Sequence, residues 1–365
     1  MLIVKTPLRV PFFSGSSDHP AFVQTEGGMA FSATIDKYVY VIIHSNVENQ
    51  FRFTHDTIQV GHDVTQIKHT ITEKSFEAIN SRIHDYNRIN RTEFQALPKN
   101  SLTIASLNDI NQVGTGLGAS SAYTVGLVNA LYTFCSFPPN ETTLDKMAEM
   151  ACKIEIDYCK YPIGVQDQWA ASIGGTNLFT FNKDETVGVE QFHNMERMRR
   201  FANSLVLINS GVQRHYKDIV ETGKETKGYL THPKYDKLKE AQKANMREGK
   251  ILAKTAWDIL NSREGNGNLD YIGEMLNNSW RKKKLTDRKV TDEQIDGLYD
   301  LCIDNGAIGG KLLGSGGGGY MLFYVPHDKR DEFLTKLPFE YKSRVVNFSF
   351  THEGSKIIYN DRSTK

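Results

Sequence analysis

The sequence predicts a mixed protein of strands and helices, large enough for two domains. Three observations carry this. The first third of the chain is rich in β-branched and aromatic residues, partly at alternating spacing. Several later stretches repeat apolar residues at helical spacing. Two glycine-rich segments, GTGLGASS (114–121) and LGSGGGG (313–319), each lie beside a strand-like run. A chain of 365 residues exceeds one small domain and suits two, or one large α/β unit.

The elements follow in order. Residues 2–10 open as an apolar strand, and SATIDKYVYVIIHS (32–45) reads as another, with a glycine turn at EGGMAF (26–31). FRFTHDTIQV (51–60) alternates like a single half-buried strand. A helix is expected over 74–91 and a strand over SLTIASLND (101–109), followed by the first glycine loop and the helical pattern AYTVGLVNALYTF (122–134). LDKMAEMACKIEIDYC (144–159) reads as one amphipathic helix, and YPIGVQDQWAASIGGTN (161–177) as a loop with a short helical middle. After a polar stretch near 181–200, SLVLINSG (204–211) is a buried strand; residues 233–300 are charged and mostly helical in period. IGGKLLGSGGGGYMLFYVP (308–326) sets the second glycine loop just before a strand. The polar zone near 185–200 is the expected boundary, dividing 1–190 from 191–365, and no repeat of solenoid period is present.

Composition excludes several classes of partner. Lys plus Arg is 44 and Asp plus Glu is 43, so no global field draws in nucleic acid or anionic lipid. Any anion site must be local. RKKK (281–284) reads as a solvated helix face. No run approaches the roughly 18 apolar residues of a membrane span, and MLIVKTPLRV lacks the long apolar core of a signal peptide. Cys135, Cys152, Cys159 and Cys302 form no CxxC pair, which points to reduced thiols and a cytoplasmic setting.

A glycine loop feeding a helix lets backbone N–H groups approach an anion and adds the positive end of the helix dipole. Phosphate is the usual guest. A Walker loop would need GxxxxGK[ST], but 114–121 contains no lysine and Gly310-Lys311 is followed by Leu312. Gly114, Gly116 and Ala119 meet the bare GxGxxG/A spacing, yet the loop lies over a hundred residues in and no acidic residue follows about twenty positions on.

A third pattern fits. GLGASS with its helix resembles the second motif of the GHMP kinases, a family of galactokinase, homoserine kinase, mevalonate kinase and phosphomevalonate kinase. TPLRVPFFSGSSDHP (6–20) resembles the family's N-terminal motif and KLLGSGGGGYMLFYV (311–325) its C-terminal glycine motif, in the family's order and spanning most of the chain. Two positions depart: Ser14-Gly15-Ser16-Ser17-Asp18 stands where the family often has Gly-Gly-Gly-Thr-Asp, and Ala119 replaces the first serine of GLGSS. The resemblance implies an α+β fold of two domains with the active site in the cleft between them. It implies ATP and Mg²⁺ as cofactors, with the phosphates wrapped by Gly114, Thr115, Gly116, Leu117, Gly118, Ala119, Ser120 and Ser121 and closed over by Gly316 and Gly317.

The resemblance also implies roles for single side chains. GVQDQ (164–168) is similar to the segment carrying the family's catalytic aspartate, which makes Asp167 the general base. Arg9 matches the basic residue of the first motif and would stabilise the transferring phosphoryl group or orient Asp167. The family places a magnesium glutamate near Glu155, with Asp157 as the rival and Ser120 as the hydroxyl ligand. Asp18 and His19 match the segment that binds sugar hydroxyls in the galactokinase branch, although both are also good turn residues. Arg214 could hold a substrate phosphate or be a solvated loop residue.

Among the branches, TPLRVPFFSGSSDHP, GGMAFSATIDKYVYV and GVQDQWAASIGG look most like a sugar-1-kinase, and most of all like the D-glycero-D-manno-heptose 7-phosphate kinase group. That implies transfer to an anomeric hydroxyl on the way to a nucleotide-activated heptose, by a monomer or homodimer with a small-molecule sugar or sugar-phosphate partner. Galactose, fucose and mevalonate kinases stay open. So do a decarboxylase of the same superfamily and a silent binding protein on the same fold.

Overall fold

The computed structural model describes residues 1–110, 114–213, 238–262, 267–286 and 288–361. Two sheets organise the chain. The first contains β1 (Leu2–Phe13), β2 (Gly28–Ser45), β3 (Phe51–Thr54), β4 (Ile58–Gly61), β5 (Leu102–Asn108), β6 (Thr176–Phe181) and β7 (Val187–Gln191), together with a last strand described below. The long β2 is its spine. Its Phe31–Ile43 stretch pairs with β1, its Gly28–Ala33 stretch with β6 and its Val39–Ser45 stretch with β5, all antiparallel. β3 joins β5 in parallel and carries β4 as a hairpin.

The second sheet is antiparallel, in the order β11 (Val345–Val346), β8 (Leu205–Asn209), β10 (Tyr320–Tyr324), β9 (Gly309–Leu312). β8 and β10 are almost wholly buried, as their continuous apolar sequences require. The chain's last strand, β12 (Lys356–Asn360), returns to the first sheet and pairs with β1.

Six helices belong to the first half of the chain: α1 (Pro20–Glu26), α2 (Thr70–Asn90), α3 (Ala119–Phe134), α4 (Leu144–Cys152), α5 (Gln166–Ile173) and α6 (Met195–Asn203). Three long ones follow: α7 (Glu240–Asn261), α8 (Gly267–Thr286) and α9 (Glu293–Asp304). α3 is the central helix. It is apolar nearly all round, and a helix of that kind must be enclosed. It packs on β1 and β2 and touches α2, α4 and α5. Gly126 makes this approach possible, since a Cβ there would lie 2.8 Å from Thr6 Oγ1 on β1. A buried polar chain secures the contact: Asn129 Nδ2 donates to Ser355 Oγ at 3.1 Å, which bonds Thr6 Oγ1 at 2.9 Å.

The structure differs from the sequence expectation in four places, each with a local cause. Residues 51–60 are a hairpin rather than one strand, because His55-Asp56-Thr57 turns between β3 and β4, closed by the His55 N–H donating to the Thr57 carbonyl at 3.3 Å. Residues 144–159 are not one α-helix: α4 ends at Cys152 and a π-helical turn covers Lys153–Tyr158. The polar stretch near 181–200 holds β7 and α6, whose amphipathic pattern was hidden by charge; Met198 and Phe201 are its buried side. Residues 26–31 are a turn only at Gly27, and β2 begins at Gly28.

Candidate active site

The site is built where β1, the first glycine loop and the start of α5 meet. Arg9 stands on β1 with its side chain buried. Its backbone N–H donates to the Leu117 carbonyl at 3.0 Å, so the strand edge holds the loop. Its guanidinium is shared between two partners. Nε donates to Asp167 Oδ1 at 2.8 Å and Nη2 to Oδ2 at 2.5 Å, a bidentate pair, while Nη1 donates to the Gly116 carbonyl at 2.6 Å. One side chain thus fixes both the orientation of the Asp167 carboxylate and its place beneath the loop. Each carboxylate oxygen keeps a second lone pair, so Asp167 still accepts a proton from another group.

Asp18 lies beside this pair, almost wholly buried. Its Oδ2 accepts from the Gln166 N–H at 3.1 Å, and its carbonyl accepts from the Val165 N–H at 3.3 Å. Burial pushes its carboxyl up to about 6; the Gln166 N–H opposes the rise, and the neighbouring charge of Asp167 adds to it. Gly164 is what lets the GVQDQ segment come this close, since a Cβ there would lie 1.9 Å from Asp18 Oδ2. Gln166 Nε2 donates to Ser14 Oγ at 3.1 Å, and its buried Oε1 has no hydrogen-bond partner among the described residues. His19 is placed differently from Asp18: its Nδ1 accepts from the Ala21 N–H at 3.4 Å and caps α1.

Glu155 reaches the loop from the other side. The π-helical turn carries it into the interior, fully buried, while Asp157 of the same turn is exposed. Its carboxylate accepts from Ser120 Oγ at 3.0 Å, Ser121 Oγ at 2.8 Å and Gln168 Nε2 at 2.5 Å. Burial nevertheless outweighs these bonds and pushes its pKa up to about 7. Among the described residues no three His, Cys, Asp or Glu side chains come together as a metal cage. A carboxylate and a hydroxyl side by side are hard oxygen donors, two in number. That set fits an ion that takes the rest of its shell from phosphate and water.

The second glycine loop closes against the first, backbone to backbone. A Cβ on Gly116 would lie 2.6 Å from the Leu313 carbonyl, and one on Gly319 2.6 Å from the Gly114 carbonyl. The Tyr320 N–H donates to the Thr115 carbonyl at 3.2 Å. Gly316 and Gly317, expected to make this closure, lean away from it. A Cβ on Gly316 would meet Val290 at 2.7 Å, and the Gly317 N–H donates to the Val290 carbonyl at 3.0 Å. Gly314 and Gly319 therefore form the seam, and Gly316 and Gly317 fasten the loop to its own half. Leu117 is fully buried next to the seam and anchors the first loop with a contribution of about 1.5–3 kcal/mol.

The basic run is solvated in part, since Arg281 and Lys282 are exposed, but its lysines also make contacts. Lys283 Nζ donates to the Gly314 carbonyl at 2.7 Å, Lys284 bonds Asp296 at 2.9 Å, and Lys282 pairs with Glu248. Arg214 lies outside the described residues. The sequence reading missed Gln168, Gln166, Gly164 and the two lysines Lys283 and Lys311. The first three stand inside GVQDQ, whose signal was spent on the aspartate alone.

Comparison with known proteins decides the family. The family model described as GHMP kinases N terminal domain matches residues 86–175, and that described as GHMP kinases C terminal matches residues 257–343. The chain belongs to the GHMP kinase family. As a GHMP kinase it is a phosphotransferase whose donor is ATP. It is 28% identical over 359 residues to a D-glycero-alpha-D-manno-heptose 7-phosphate kinase of Campylobacter jejuni, covering 96% of this chain and 97% of that one. A galactokinase of Thermococcus kodakarensis is 25% identical over 60% of this kinase and 63% of its own length. Among solved structures, a D-glycero-D-manno-heptose 1-phosphate kinase from Bacteriodes thetaiotaomicron superposes with a TM-score of 0.71 at 22% identity, over 99% of this kinase and 100% of that chain. A galactokinase of Lactococcus lactis, complexed with galactose, gives 0.66 at 16% identity, over 97% and 94%. No helix among the described residues of this kinase is long and apolar enough to cross a membrane.

Proposed function

We propose that this kinase transfers the γ-phosphoryl group of ATP to the anomeric hydroxyl of a sugar or sugar phosphate, with D-glycero-D-manno-heptose 7-phosphate first among the acceptors. The observation that carries the reading is the Arg9–Asp167 pair under the glycine loop, with buried Asp18 beside it. The full-length similarity to the Campylobacter enzyme supports the choice of acceptor.

In this reading the acceptor hydroxyl attacks Pγ, the bond from Pγ to the bridging oxygen breaks, ADP leaves, and Asp167 takes the hydroxyl proton. An anomeric hydroxyl is more acidic than an ordinary alcohol, so a modest base suffices. Arg9 holds the base in one orientation and offers positive charge where the phosphoryl group passes. Asp18 and the unsatisfied Gln166 Oε1 accept hydrogen bonds from sugar hydroxyls, with His19 at the rim. The first glycine loop, 114–121, holds the nucleotide phosphates with its backbone N–H groups. Ser120 and Glu155 would hold Mg²⁺, which when bound draws off charge from the phosphates. Residues 1–190 would form the half that carries the phosphate loop and Asp167, and residues 191–365 the half that closes the cleft. Dependence on ATP and four cysteines that form no CxxC pair fit a cytoplasmic setting, as monomer or homodimer.

The test is ATP turnover against heptose 7-phosphate, unphosphorylated heptose, galactose, mannose, fucose and mevalonate with Mg²⁺. Turnover of heptose 7-phosphate above the rest supports the reading; turnover of mevalonate alone, or of none, overturns it. Gly164→Ala adds a sharper prediction. Its methyl would lie 1.9 Å from Asp18 Oδ2, so Asp18 must move. We expect kcat/KM for the sugar to fall roughly 100-fold while the KM for ATP changes by no more than about twofold. Equal losses toward both substrates would remove Asp18 from the sugar site.

A further inference from the structure

Lys311 takes no part in the chemistry above, yet it stands beside the seam. It lies on β9, two residues before the second glycine loop begins at Leu313. Its Nζ donates to the Phe12 carbonyl of β1 at 2.6 Å, so it bridges the two sheets. The ammonium group has three donors, and this is its one hydrogen-bond acceptor among the described residues.

Among the described residues, the charged groups facing it are Lys283 from α8 and Arg9 from β1, both within Coulombic reach. Asp167 lies behind Arg9, with both of its oxygens taken by the guanidinium. Each of the three cations is tied to a backbone carbonyl: Arg9 to Gly116 and Lys283 to Gly314 on the seam, and Lys311 to Phe12 on the neighbouring strand β1. Gly116 and Gly314 are themselves in contact, a Cβ on Gly314 falling 2.8 Å from the Gly116 Cα. Three positive groups from three elements therefore converge at one junction. Carbonyl dipoles offset part of that repulsion. A dianion would offset far more.

We propose that Lys311 and Lys283 form an anion seat at the seam between the two glycine loops, which binds a terminal phosphoryl group. The seat rests on the kinase reading for the source of its ligand. A phosphate monoester or the end of a triphosphate has the required chemistry, so the source is either the γ-phosphoryl of ATP or the phosphate of a sugar phosphate. Burial, with Lys283 and Arg9 adding to it, lowers the Lys311 amine to about 7. An anion favours the charged amine and pulls a proton on as it binds.

The experiment is calorimetric titration of the full chain, as wild type, Lys311→Met, Lys283→Met and Lys311→Arg. The ligands are inorganic phosphate, the pair ADP and a non-hydrolysable ATP analogue, and the pair heptose and heptose 7-phosphate. Lys311→Met is expected to weaken inorganic phosphate and the phosphorylated member of one pair by roughly tenfold or more, leaving the other member within about twofold. Loss on the ATP analogue assigns the seat to the γ-phosphoryl, and loss on the sugar phosphate assigns it to the acceptor. Lys311→Arg should restore most of the affinity. Titrations of the wild type at pH 8 in buffers of different ionisation enthalpy should show proton uptake that Lys311→Met abolishes, a signal that a purely structural lysine does not give. Unchanged phosphate binding in Lys311→Met, or equal weakening of both members of both pairs, overturns the seat. The inorganic phosphate arm needs neither nucleotide nor sugar, so the seat can fail while the kinase reading stands, and the reverse.

Discussion

Asp167→Asn is expected to lower turnover of the accepted sugar by roughly 10²–10⁴-fold and to leave ADP binding nearly unchanged. The argument is geometric. Asp167 presents both oxygens to Arg9, at 2.8 and 2.5 Å, and the phosphate loop is held by other contacts: Arg9 Nη1 on the Gly116 carbonyl, the Arg9 N–H on the Leu117 carbonyl and buried Leu117. Removing the base should therefore spare the nucleotide site. An asparagine keeps the shape but turns an N–H₂ toward Arg9, so one of the two bonds is lost and the guanidinium is left under-partnered. Arg9→Met should also reduce kcat, and the double substitution should cost little more than the worse single one, because the two groups act as a unit. Retention of kcat within about tenfold in Asp167→Asn would give the proton to another acceptor. Fully additive losses would separate Arg9 from the positioning of Asp167.

The first glycine loop was legible in sequence as a turn between a strand and a helix because its constraint is local. A strand, a run of alternating glycines and an apolar helix are contiguous, and backbone that must approach an anion leaves glycine where any side chain would block it. The first and last motifs were legible for the same reason. What was not legible depends on contacts between distant segments. Nothing in KLLGSGGGGY tells which glycines meet the first glycine loop. The tertiary approach of Gly314 to Gly116 and of Gly319 to Gly114 decides it, and leaves Gly316 and Gly317 on Val290. RKKK looks solvated in sequence because charge runs usually are. Here α8 passes beside the second glycine loop, and Lys283 finds the Gly314 carbonyl.

Glu155 and Asp157 show where periodicity fails. The period of an α-helix from 144 to 159 does not separate Glu155 from Asp157, and only the family resemblance favoured Glu155. The π-helical turn at Lys153–Tyr158 breaks the 3.6-residue period and sends Glu155 inward and Asp157 outward. A π turn carries no strong sequence mark. The hydroxyls of Ser120 and buried Ser121 were visible in GLGASS, but their partner was not. The region 181–200 failed for another reason: α6 carries so much charge that its two buried residues, Met198 and Phe201, did not register as a face.

Glu155 yields the second large effect, because a fully buried carboxylate with three donors still titrates near neutrality. Its pKa rises from 4.5 to about 7 on folding. A group raised in this way holds its proton more tightly in the native state. Its stabilising contribution is therefore fully present below 4.5 and is lost as pH rises through about 7. Glu155→Gln replaces it with a neutral side chain of similar shape that does not titrate. In the absence of Mg²⁺, the stability of Glu155→Gln relative to wild type should climb between those pH values, by an amount on the order of 3 kcal/mol. Asp18 titrates in the same direction with a pKa of about 6, and its contribution cancels when the two proteins are compared. Mg²⁺ with an ATP analogue should reverse the order above pH 7, because the ion favours the ionised carboxylate that glutamine cannot supply. In turnover, the apparent affinity for Mg²⁺ should fall by roughly 10–100-fold or more in Glu155→Gln. Thermal unfolding from pH 4.5 to 8, with and without Mg²⁺, reads the first effect, and a Mg²⁺ titration of kcat reads the second. If the two proteins lose stability in parallel across that range, Glu155 is not the group that titrates. If Mg²⁺ activates both at the same concentration, the ion is held elsewhere.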